Sequence, residues 1–254
     1  MTLPAFCHIG NGPEPVIVLH GWFSDHTVYA PLYPWLDTRR FSFAFVDAPG
    51  YGGSRHVELP PSIEGMGRAA LTVADHLGWR EFGVAGHSMG GKAAQWLCTY
   101  AEDRVTRAVG ITPVPAAPTP FDDEGRALFE SAARDGAARG AILELTTGAR
   151  LGPLWLERMI RDSFEACDEA TFAAYFADWA DGDFSRALNG CETPFLGLAG
   201  LHDGAITPES LSATIGEWFD HCAIEPIEGA GHYPMLETPA WLATRVQAFL
   251  AGEG

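Results

Sequence analysis

The sequence predicts an α/β protein with a mostly parallel central sheet flanked by helices. Short apolar runs that stop at turn residues alternate with segments of helical periodicity along most of the 254 residues, and parallel strands joined by crossover helices produce such an alternation. It breaks once, at residues 114–189, where a proline-rich start is followed by helical composition only. We therefore expect one α/β core, made of residues 1–113 and 190–254, interrupted by an inserted helical cap at 114–189.

The predicted strands are short apolar runs bounded by glycine, proline or aspartate. Two of them stop at informative turns, the first at His20-Gly21 and the other at Asp47-Ala48-Pro49-Gly50. In chain order, the runs cover residues 6–9, 16–19, 41–46, 82–85, 105–111, 194–199 and 223–227.

The predicted helices have apolar residues at a spacing of three or four. Ser62 begins one of them and Gly78 follows its end. Pro31 and Pro34 restrict residues 28–36 to short turns. The other helices are expected near residues 89–100, 121–139, 153–167, 169–180, 208–219 and 239–250.

Four prolines between Thr112 and Pro120 prevent a regular element there. We expect this segment to be a stiff connection between sheet and cap. The glycine-containing turns near 136–140 and 148–152 are predicted to be the mobile parts of the cap.

The composition excludes several classes of protein. The chain has 33 acidic and 16 basic residues and a formal charge of −17, with the basic residues scattered, which argues against a nucleic-acid partner. No window approaches the length of uncharged apolar sequence that a membrane-spanning helix needs. Residues 1–10 lack the features of a secretory signal, which predicts a cytoplasmic location. Nothing in the sequence points to a particular oligomeric state.

The sequence also predicts neither a metal nor a cofactor. The five cysteines are widely spaced and form no C-x-x-C pair, which indicates reduced thiols and argues against a disulfide framework or a zinc site. An H-E-x-x-H motif is absent, and no G-x-G-x-x-G turn follows the early strands.

The strongest chemical signal is Gly86-His87-Ser88-Met89-Gly90-Gly91, between a predicted strand and a predicted helix. A G-x-S-x-G motif in that context is typical of the nucleophile elbow, a turn so tight that glycines are needed where a Cβ would clash. The alternative is a tight turn in which Ser88 only caps the helix. The strand-to-helix context favours a nucleophile.

A serine nucleophile needs a general base oriented by a carboxylate. His232 lies in a glycine-rich loop after the last predicted strand, and Asp203 follows the strand at 194–199, so both fall at the same carboxyl edge as Ser88. The chain order serine, acid, histidine fits. We expect a Ser88–His232–Asp203 triad, with His87 serving in packing.

Ester hydrolysis also needs N–H donors aimed at the developing oxyanion. We expect these from Met89, which follows the nucleophile, and from Trp22 in the loop after the strand at 16–19, with His20 anchoring that loop. Trp22 and Phe23 are predicted to line an apolar substrate pocket, together with a minority of the cap aromatic residues. Those aromatic residues are Phe121, Phe129, Trp155, Phe164, Phe172, Tyr175, Phe176, Trp179 and Phe184.

Five basic residues near the pocket have two interpretations. Lys92 and four cap arginines either meet a substrate carboxylate or lie on solvated helix faces, and the sequence favours solvated faces. The arginines are Arg126, Arg150, Arg158 and Arg161.

Taken together, these motifs resemble those of α/β-hydrolase fold serine hydrolases, in particular the small carboxylesterases with a helical cap. The resemblance implies an eight-stranded sheet, a helical cap inserted after the sixth strand, and no cofactor. Relatives that cleave carbon–halogen bonds or epoxides carry an aspartate at the position of Ser88, so acyl transfer is favoured. The resemblance rests on His20-Gly21-Trp22, Asp47 to Ser54, Gly86 to Gly91, Asp203 and Gly231-His232.

The sequence thus predicts a serine hydrolase of small, mainly apolar carboxylic esters, whose partner is a small-molecule substrate. Two alternatives within the enzyme class use the same triad, namely cleavage of a carbon–carbon bond in a vinylogous diketone and hydrolysis of a lactone. A further alternative is a small-molecule receptor that signals through its cap. The many acidic residues of the cap favour a solvated surface and therefore an enzyme.

Overall fold

A computed structural model describes residues 2–253. Within this range, seven strands form one sheet in the order β1-β3-β2-β4-β5-β6-β7, in which only β1 runs antiparallel to its neighbour. The strands are β1 (Phe6–Ile9), β2 (Glu14–Leu19), β3 (Phe41–Val46), β4 (Phe82–His87), β5 (Val105–Ile111), β6 (Phe195–Gly200) and β7 (Cys222–Ile227). The predicted mostly parallel α/β sheet is confirmed.

Ten α-helices accompany the sheet within residues 2–253. They are α1 (Ile63–His76), α2 (Met89–Tyr100), α3 (Asp123–Ser131), α4 (Gly136–Thr147), α5 (Pro153–Ala166), α6 (Glu169–Asp181), α7 (Pro208–Ser212), α8 (Ile215–Trp218), α9 (Pro234–Glu237) and α10 (Pro239–Leu250). No helix among the described residues has both the length and the apolar character needed to cross a bilayer.

The sheet is covered on both faces. Every residue of β3, β4 and β6 is buried, as expected for parallel strands packed between helices. Helix α2 is buried from Met89 to Cys98, which explains why most residues of this stretch are apolar or small; Lys92 and Gln95 are the polar exceptions. Ser62 starts α1 by accepting a hydrogen bond from Gly65 N.

The sheet has one strand fewer than the resemblance implied. Residues 2–13 contain only the four-residue strand β1, which pairs with β3 at the edge. The helical insertion therefore follows the fifth strand of this sheet and not the sixth.

Two predicted helices are divided in the structure. The stretch at 121–139 contains all of α3 and the start of α4, because Asp135 accepts a hydrogen bond from Ala137 N and begins a new helix. The stretch at 208–219 becomes α7 and α8. Thr207 and Ser210 form a capping box at the start of α7.

Helices α3 to α6 all lie between β5 and β6, in the segment predicted as the cap. The two connections of this segment run side by side, since Phe184 N donates to Ala116 O at 3.2 Å and Thr119 N donates to Ala180 O at 2.8 Å. The two segments predicted to be mobile lie at the start and just after the end of α4. Residues 136–140 belong to α4, and Gly148 ends that helix with φ +62°. Mobility there stays a prediction.

Candidate active site

Ser88 lies in a strained turn between β4 and α2. Its φ of +53° is in the left-handed region, which costs a non-glycine residue about 1–3 kcal/mol. Gly86 is required here, because a Cβ at this residue would lie 2.1 Å from Gly90 O. The turn is held by hydrogen bonds from Ser88 N to Ile111 O and from Val114 N to Ser88 O, both 3.0 Å long.

Asp203 and His232 meet at the carboxyl edge of the sheet. Asp203 Oδ2 lies 2.6 Å from His232 Nδ1. The other carboxylate oxygen of Asp203 accepts hydrogen bonds from Ala205 N and Ile206 N, at 2.9 and 3.1 Å. Both side chains are buried, so the carboxylate has a fixed orientation toward the imidazole. The hydrogen bond at Nδ1 leaves Nε2 as the ring nitrogen available for proton transfer.

The main chain of His232 is held by residues that sequence reasoning did not assign to it. His87 Nε2 donates to His232 O at 2.7 Å, and Thr112 Oγ1 lies 3.1 Å from the same oxygen. Burial and the neighbouring His232 keep the pKa of His87 well below its usual range. Its ring is therefore neutral, with Nδ1 unprotonated and without a partner among the described residues. His87 thus positions a neighbour in addition to the predicted packing.

The loop after β2 brings Trp22 beside Ser88. Trp22 Nε1 donates to Phe172 O at 2.8 Å, and Tyr51 Oη donates to Trp22 O at 2.7 Å. The indole ring stacks on the Phe172 ring with centroids 4.0 Å apart. Within residues 2–253, the backbone N–H groups of Trp22 and Met89 have no hydrogen-bond partner. Their role as oxyanion donors stays a prediction.

His20 anchors this loop, as expected from the sequence. Its Nδ1 donates to Gly21 O at 2.8 Å, and its Nε2 accepts from Ala48 N at 3.0 Å. Burial lowers the pKa of His20, against the opposing effect of Asp47. Gly21 is needed because a Cβ there would lie 2.6 Å from His87 Nδ1.

A mainly apolar cavity of about 100 Å³ joins these residues. Of the nine aromatic residues of the insertion named above, three line it, and Phe176 packs against all three of them. The full lining consists of Trp22, Phe23, His87, Ser88, Val114, Thr119, Phe121, Phe129, Ile142, Thr146, Trp179, Ala205, Ile206, His232 and Tyr233.

A second, larger cavity is a surface groove of about 690 Å³. Its walls include Pro31, Trp155, Met159 and Leu236, and Phe23 lines both this groove and the inner cavity. Trp155 contacts Tyr233 edge to face, with ring centroids 5.7 Å apart. Phe23 therefore borders both spaces.

Lys92 does not lie on a solvated helix face, so that expectation is wrong. The side chain is fully buried, and Nζ donates to the carbonyl oxygens of Ala117, Trp179 and Gly182 at 3.1, 2.9 and 2.7 Å. Desolvation lowers the pKa of Lys92 to about 8. The ammonium group satisfies backbone acceptors at both connections of the insertion, and it does not line the cavity.

A second buried cation, Arg139 in α4, was not identified from the sequence. Its guanidinium lies between the rings of Phe164 and Phe172, 3.6 and 3.9 Å from their centroids. Nε donates to Ala132 O, and one terminal nitrogen donates to Ser163 Oγ. These contacts fix the packing of the helices in the insertion.

The four arginines considered for a substrate carboxylate are paired with acidic residues, and none of them lines the cavity. Arg158 and Arg161 both bind Asp162. The other pairs are Arg126 with Glu130 and Asp181, and Arg150 with Glu237.

One group of described residues has a geometry compatible with a metal ion, namely Asp25, His26 and Asp47, whose ligand atoms lie within 4.8 Å of one another. Asp47 already accepts hydrogen bonds from His26 Nδ1 at 2.7 Å and from Gly53 N at 2.9 Å. The hydrogen bond to Asp47 raises the pKa of His26. Hydrogen bonds within the group and to the neighbouring backbone therefore explain why these three side chains cluster here.

Known proteins resemble this chain over nearly its whole length. A family model described as the alpha/beta hydrolase fold matches residues 14–239. A pimeloyl-[acyl-carrier protein] methyl ester esterase from Nitrosomonas europaea is 28% identical over 242 residues, which cover 91% of this chain and 92% of that protein.

Two solved structures share the fold. A hydrolase from Oleispira antarctica superposes with a TM-score of 0.85 at 20% identity, covering 99% of this chain and 96% of that one. An esterase from Exiguobacterium antarcticum also has a TM-score of 0.85 at 20% identity, with coverage of 97% and 94%. The family match includes β2, the turn at Ser88 and the residues that meet at Asp203 and His232. The chain therefore belongs to the α/β-hydrolase fold family.

Proposed function

We propose that this chain hydrolyses small, mainly apolar carboxylic esters by acyl transfer through Ser88. In this proposal His232 is the general base and acid. Asp203 orients its ring and stabilises the imidazolium that forms. The N–H groups of Trp22 and Met89 bind the oxyanion. Residues 114–189 form a cap over the cavity. A cytoplasmic location stays a prediction from the sequence.

One observation carries the proposal. Asp203 Oδ2 and His232 Nδ1 are 2.6 Å apart, and His232 lines the same cavity as Ser88. A carboxylate at Nδ1 selects the tautomer whose Nε2 accepts a proton and stabilises the imidazolium that forms.

In the first half of the reaction, Ser88 Oγ attacks the ester carbonyl carbon while its proton passes to His232 Nε2. The carbonyl oxygen becomes an oxyanion between the N–H groups of Trp22 and Met89. Each such donor is typically worth about 3–4 kcal/mol in the transition state. The imidazolium then protonates the departing alkoxide, which leaves an acyl group on Ser88 and releases an alcohol.

In the second half, a water molecule gives its proton to His232 Nε2 and attacks the acyl carbon. The tetrahedral intermediate collapses, Ser88 Oγ recovers the proton, and a carboxylic acid leaves. The neutral state of His87 helps this cycle, because a second imidazolium beside His232 would oppose protonation of His232.

The size of the cavity supports a substrate whose groups next to the reacting carbonyl are small and apolar. Its volume of about 100 Å³ is below the roughly 150 Å³ of a protein cavity that accepts benzene. The Nitrosomonas relative is named as a methyl ester esterase, which supports an ester in preference to a carbon–carbon bond. Among the residues that the structure describes, no arginine lines the cavity, which favours uncharged groups next to the reacting carbonyl.

Ser88→Ala tests the proposal, with Ser42→Ala as the matched control. Ser42 is a buried serine in β3 whose Oγ lies 2.7 Å from His8 Nε2, on another part of the sheet. Short-chain p-nitrophenyl esters serve as substrates, and a small organophosphate serves as a covalent probe of the nucleophile. We expect Ser88→Ala to lose turnover and labelling, while Ser42→Ala keeps both. Retention of most of the rate by a folded Ser88→Ala protein would refute the assignment.

A further inference from the structure

The loop that carries His232 is fixed by three consecutive backbone N–H groups. His232 N donates to Thr146 O, in the last turn of α4, at 2.9 Å. The N–H groups on either side, of Gly231 and Tyr233, both donate to the carboxylate of Glu237, at 2.9–3.1 Å. One carboxylate therefore accepts hydrogen bonds from the residues on both sides of His232.

Glu237 is itself held by the insertion. Its side chain is only 3% exposed, and Oε2 lies 3.0 Å from a terminal nitrogen of Arg150. Arg150 follows the end of α4, and its other terminal nitrogen donates to Gly229 O at 3.3 Å. The ion pair thus joins the insertion to the histidine loop from outside the cavity.

The neighbouring acid loop contacts the same helix end. Gly204 N, directly after Asp203, donates to Leu145 O at 3.3 Å. Thr146 supplies the acceptor for His232 N and also lines the cavity. The end of α4 therefore contacts the loops of both Asp203 and His232 as well as the space where substrate would bind.

We propose that Glu237 and Arg150 are positioning residues for His232, which tie the placement of the general base to the docking of residues 114–189. This inference rests on the proposed function of His232. Neither residue lines the cavity or contacts the reacting atoms. Their effect on the reaction passes through the backbone of residues 229–233.

The chemistry of the pair explains why a carboxylate is needed at residue 237. A carboxylate only accepts hydrogen bonds, so one group satisfies two N–H donors and a guanidinium at once. A glutamine side chain has one accepting oxygen, and its NH₂ group faces a donor. With that oxygen at the place of Oε1, both N–H groups keep an acceptor, but the NH₂ group then replaces Oε2 and points at Gly231 N and Arg150. The Glu237→Gln variant therefore loses the two hydrogen bonds at Oε2 and the ion pair, with almost no change in volume.

Four variants test the proposal: Glu237→Gln, Arg150→Met, Arg150→Lys and, as the control, Arg158→Met. Arg158 also belongs to the insertion and pairs with Asp162, but that pair is on the exposed side of α5. For Glu237→Gln we expect kcat on a short-chain ester to fall on the order of 10- to 100-fold, because small displacements of a catalytic group cost about that much. KM stays close to the wild-type value, because the cavity lining is unchanged.

Arg150→Met lowers kcat less, and Arg150→Lys restores part of it. The effects of Glu237→Gln and Arg150→Met are not additive, because both break the same ion pair. Arg158→Met matches the wild type.

Two further measurements separate positioning from general destabilisation. The acidic limb of the pH profile of kcat/KM shifts to lower pH in Glu237→Gln, because a displaced imidazole is stabilised less by Asp203. The groups in contact with the His232 ring are Asp203, His87 and Tyr233, and none of them is altered.

The other measurement does not depend on activity. In ¹H NMR, the low-field resonance of an Nδ1 proton held between His232 and Asp203 is expected in the wild type and in Arg158→Met, and is lost or exchange-broadened in Glu237→Gln. A Glu237→Gln protein with wild-type kcat, pH profile and resonance would overturn the inference. If that variant does not fold, Arg150→Met decides it by the same measurements. If the wild type hydrolyses no ester, the proposed function fails while the NMR comparison still tests the positioning.

Discussion

Lys92 Nζ donates a hydrogen bond of 2.9 Å to the carbonyl oxygen of Trp179. Lys92 is in the first turn of the helix that begins after Ser88, and Trp179 is part of the cavity wall. The helix behind the proposed nucleophile therefore also holds the opposite side of the pocket. A buried ammonium group makes this link dependent on pH.

We predict that Lys92 adds a rise in stability between about pH 8 and pH 10.5. Burial lowers its folded-state pKa from 10.5 to about 8, so the unfolded chain binds more protons within that window. The free energy of unfolding then increases with pH, by about 3 kcal/mol in total for this group. Urea denaturation of the wild type and of Lys92→Met across this range measures the difference in slope.

The comparison with Lys92→Met matters because other groups act in the opposite direction. Buried tyrosines and Cys98 have raised pKa values in the folded state, and both proteins contain them. Subtracting the two pH curves removes their effect. Parallel curves would show that Lys92 does not titrate as the burial of its ammonium requires.

Asp203→Asn is expected to keep the fold and to lower kcat by about 10³- to 10⁴-fold. An amide at this site favours the wrong tautomer of the histidine, and in serine proteases the equivalent change costs about 10⁴. Ala205 N and Ile206 N still have an oxygen to donate to, so the thermal midpoint should change little. A loss of less than tenfold, with the protein folded, would remove Asp203 from the proposed mechanism.

Phe23→Ala is expected to shift the preference of the enzyme toward longer esters. Phe23 lines both the inner cavity of about 100 Å³ and the surface groove of about 690 Å³, so we expect its truncation to connect them. Each additional methylene that becomes buried is worth about 0.8 kcal/mol, or roughly a fourfold gain in kcat/KM. A chain-length series of p-nitrophenyl esters measures the shift.

Phe121→Ala is the control for that series. Phe121 also lines the cavity, but it does not border the groove. An identical change of preference in both variants would mean that added volume alone is responsible, and that Phe23 does not separate the cavity from the groove.

Among reaction types, we predict higher kcat/KM for open-chain esters than for lactones or ring-fission dienones. The turn at Trp22 and Phe23 fills the space beside Ser88 with two aromatic side chains, which suits a small acyl group. The assay compares kcat/KM across one panel of the three substrate types. Higher efficiency on the dienones would assign carbon–carbon bond cleavage to the same residues.

The local parts of the site were predictable from the sequence because each depends on its neighbours in the chain. Ser88 lies in a motif whose glycines permit one particular turn. Asp203 and His232 follow strands, and parallel topology brings the ends of strands to one edge. The mostly parallel sheet follows from hydrophobic periodicity in the same way, and the family model confirms the α/β-hydrolase fold.

The parts that were missed depend on contacts between distant segments. Lys92 binds carbonyl oxygens up to 90 residues away, and no side-chain pattern records the position of a backbone acceptor. Arg139 has aromatic rings and carbonyl groups as partners, so the sequence shows no acidic residue that would suggest its burial. Glu237 is one of 33 acidic residues, and its importance appears only when the N–H groups of Gly231 and Tyr233 are placed.

Because the two connections of the insertion lie side by side, the insertion can be replaced in evolution while the sheet is kept. Ala116 and Phe184 are hydrogen-bonded neighbours, as are Thr119 and Ala180. A segment whose two ends meet can be exchanged for another of different length without separating the strands that it interrupts. The strands would supply an unchanged reaction centre, and grafted segments would supply new pockets. A replacement segment would have to reproduce two features found here, the carbonyl groups that receive Lys92 and an arginine opposite Glu237.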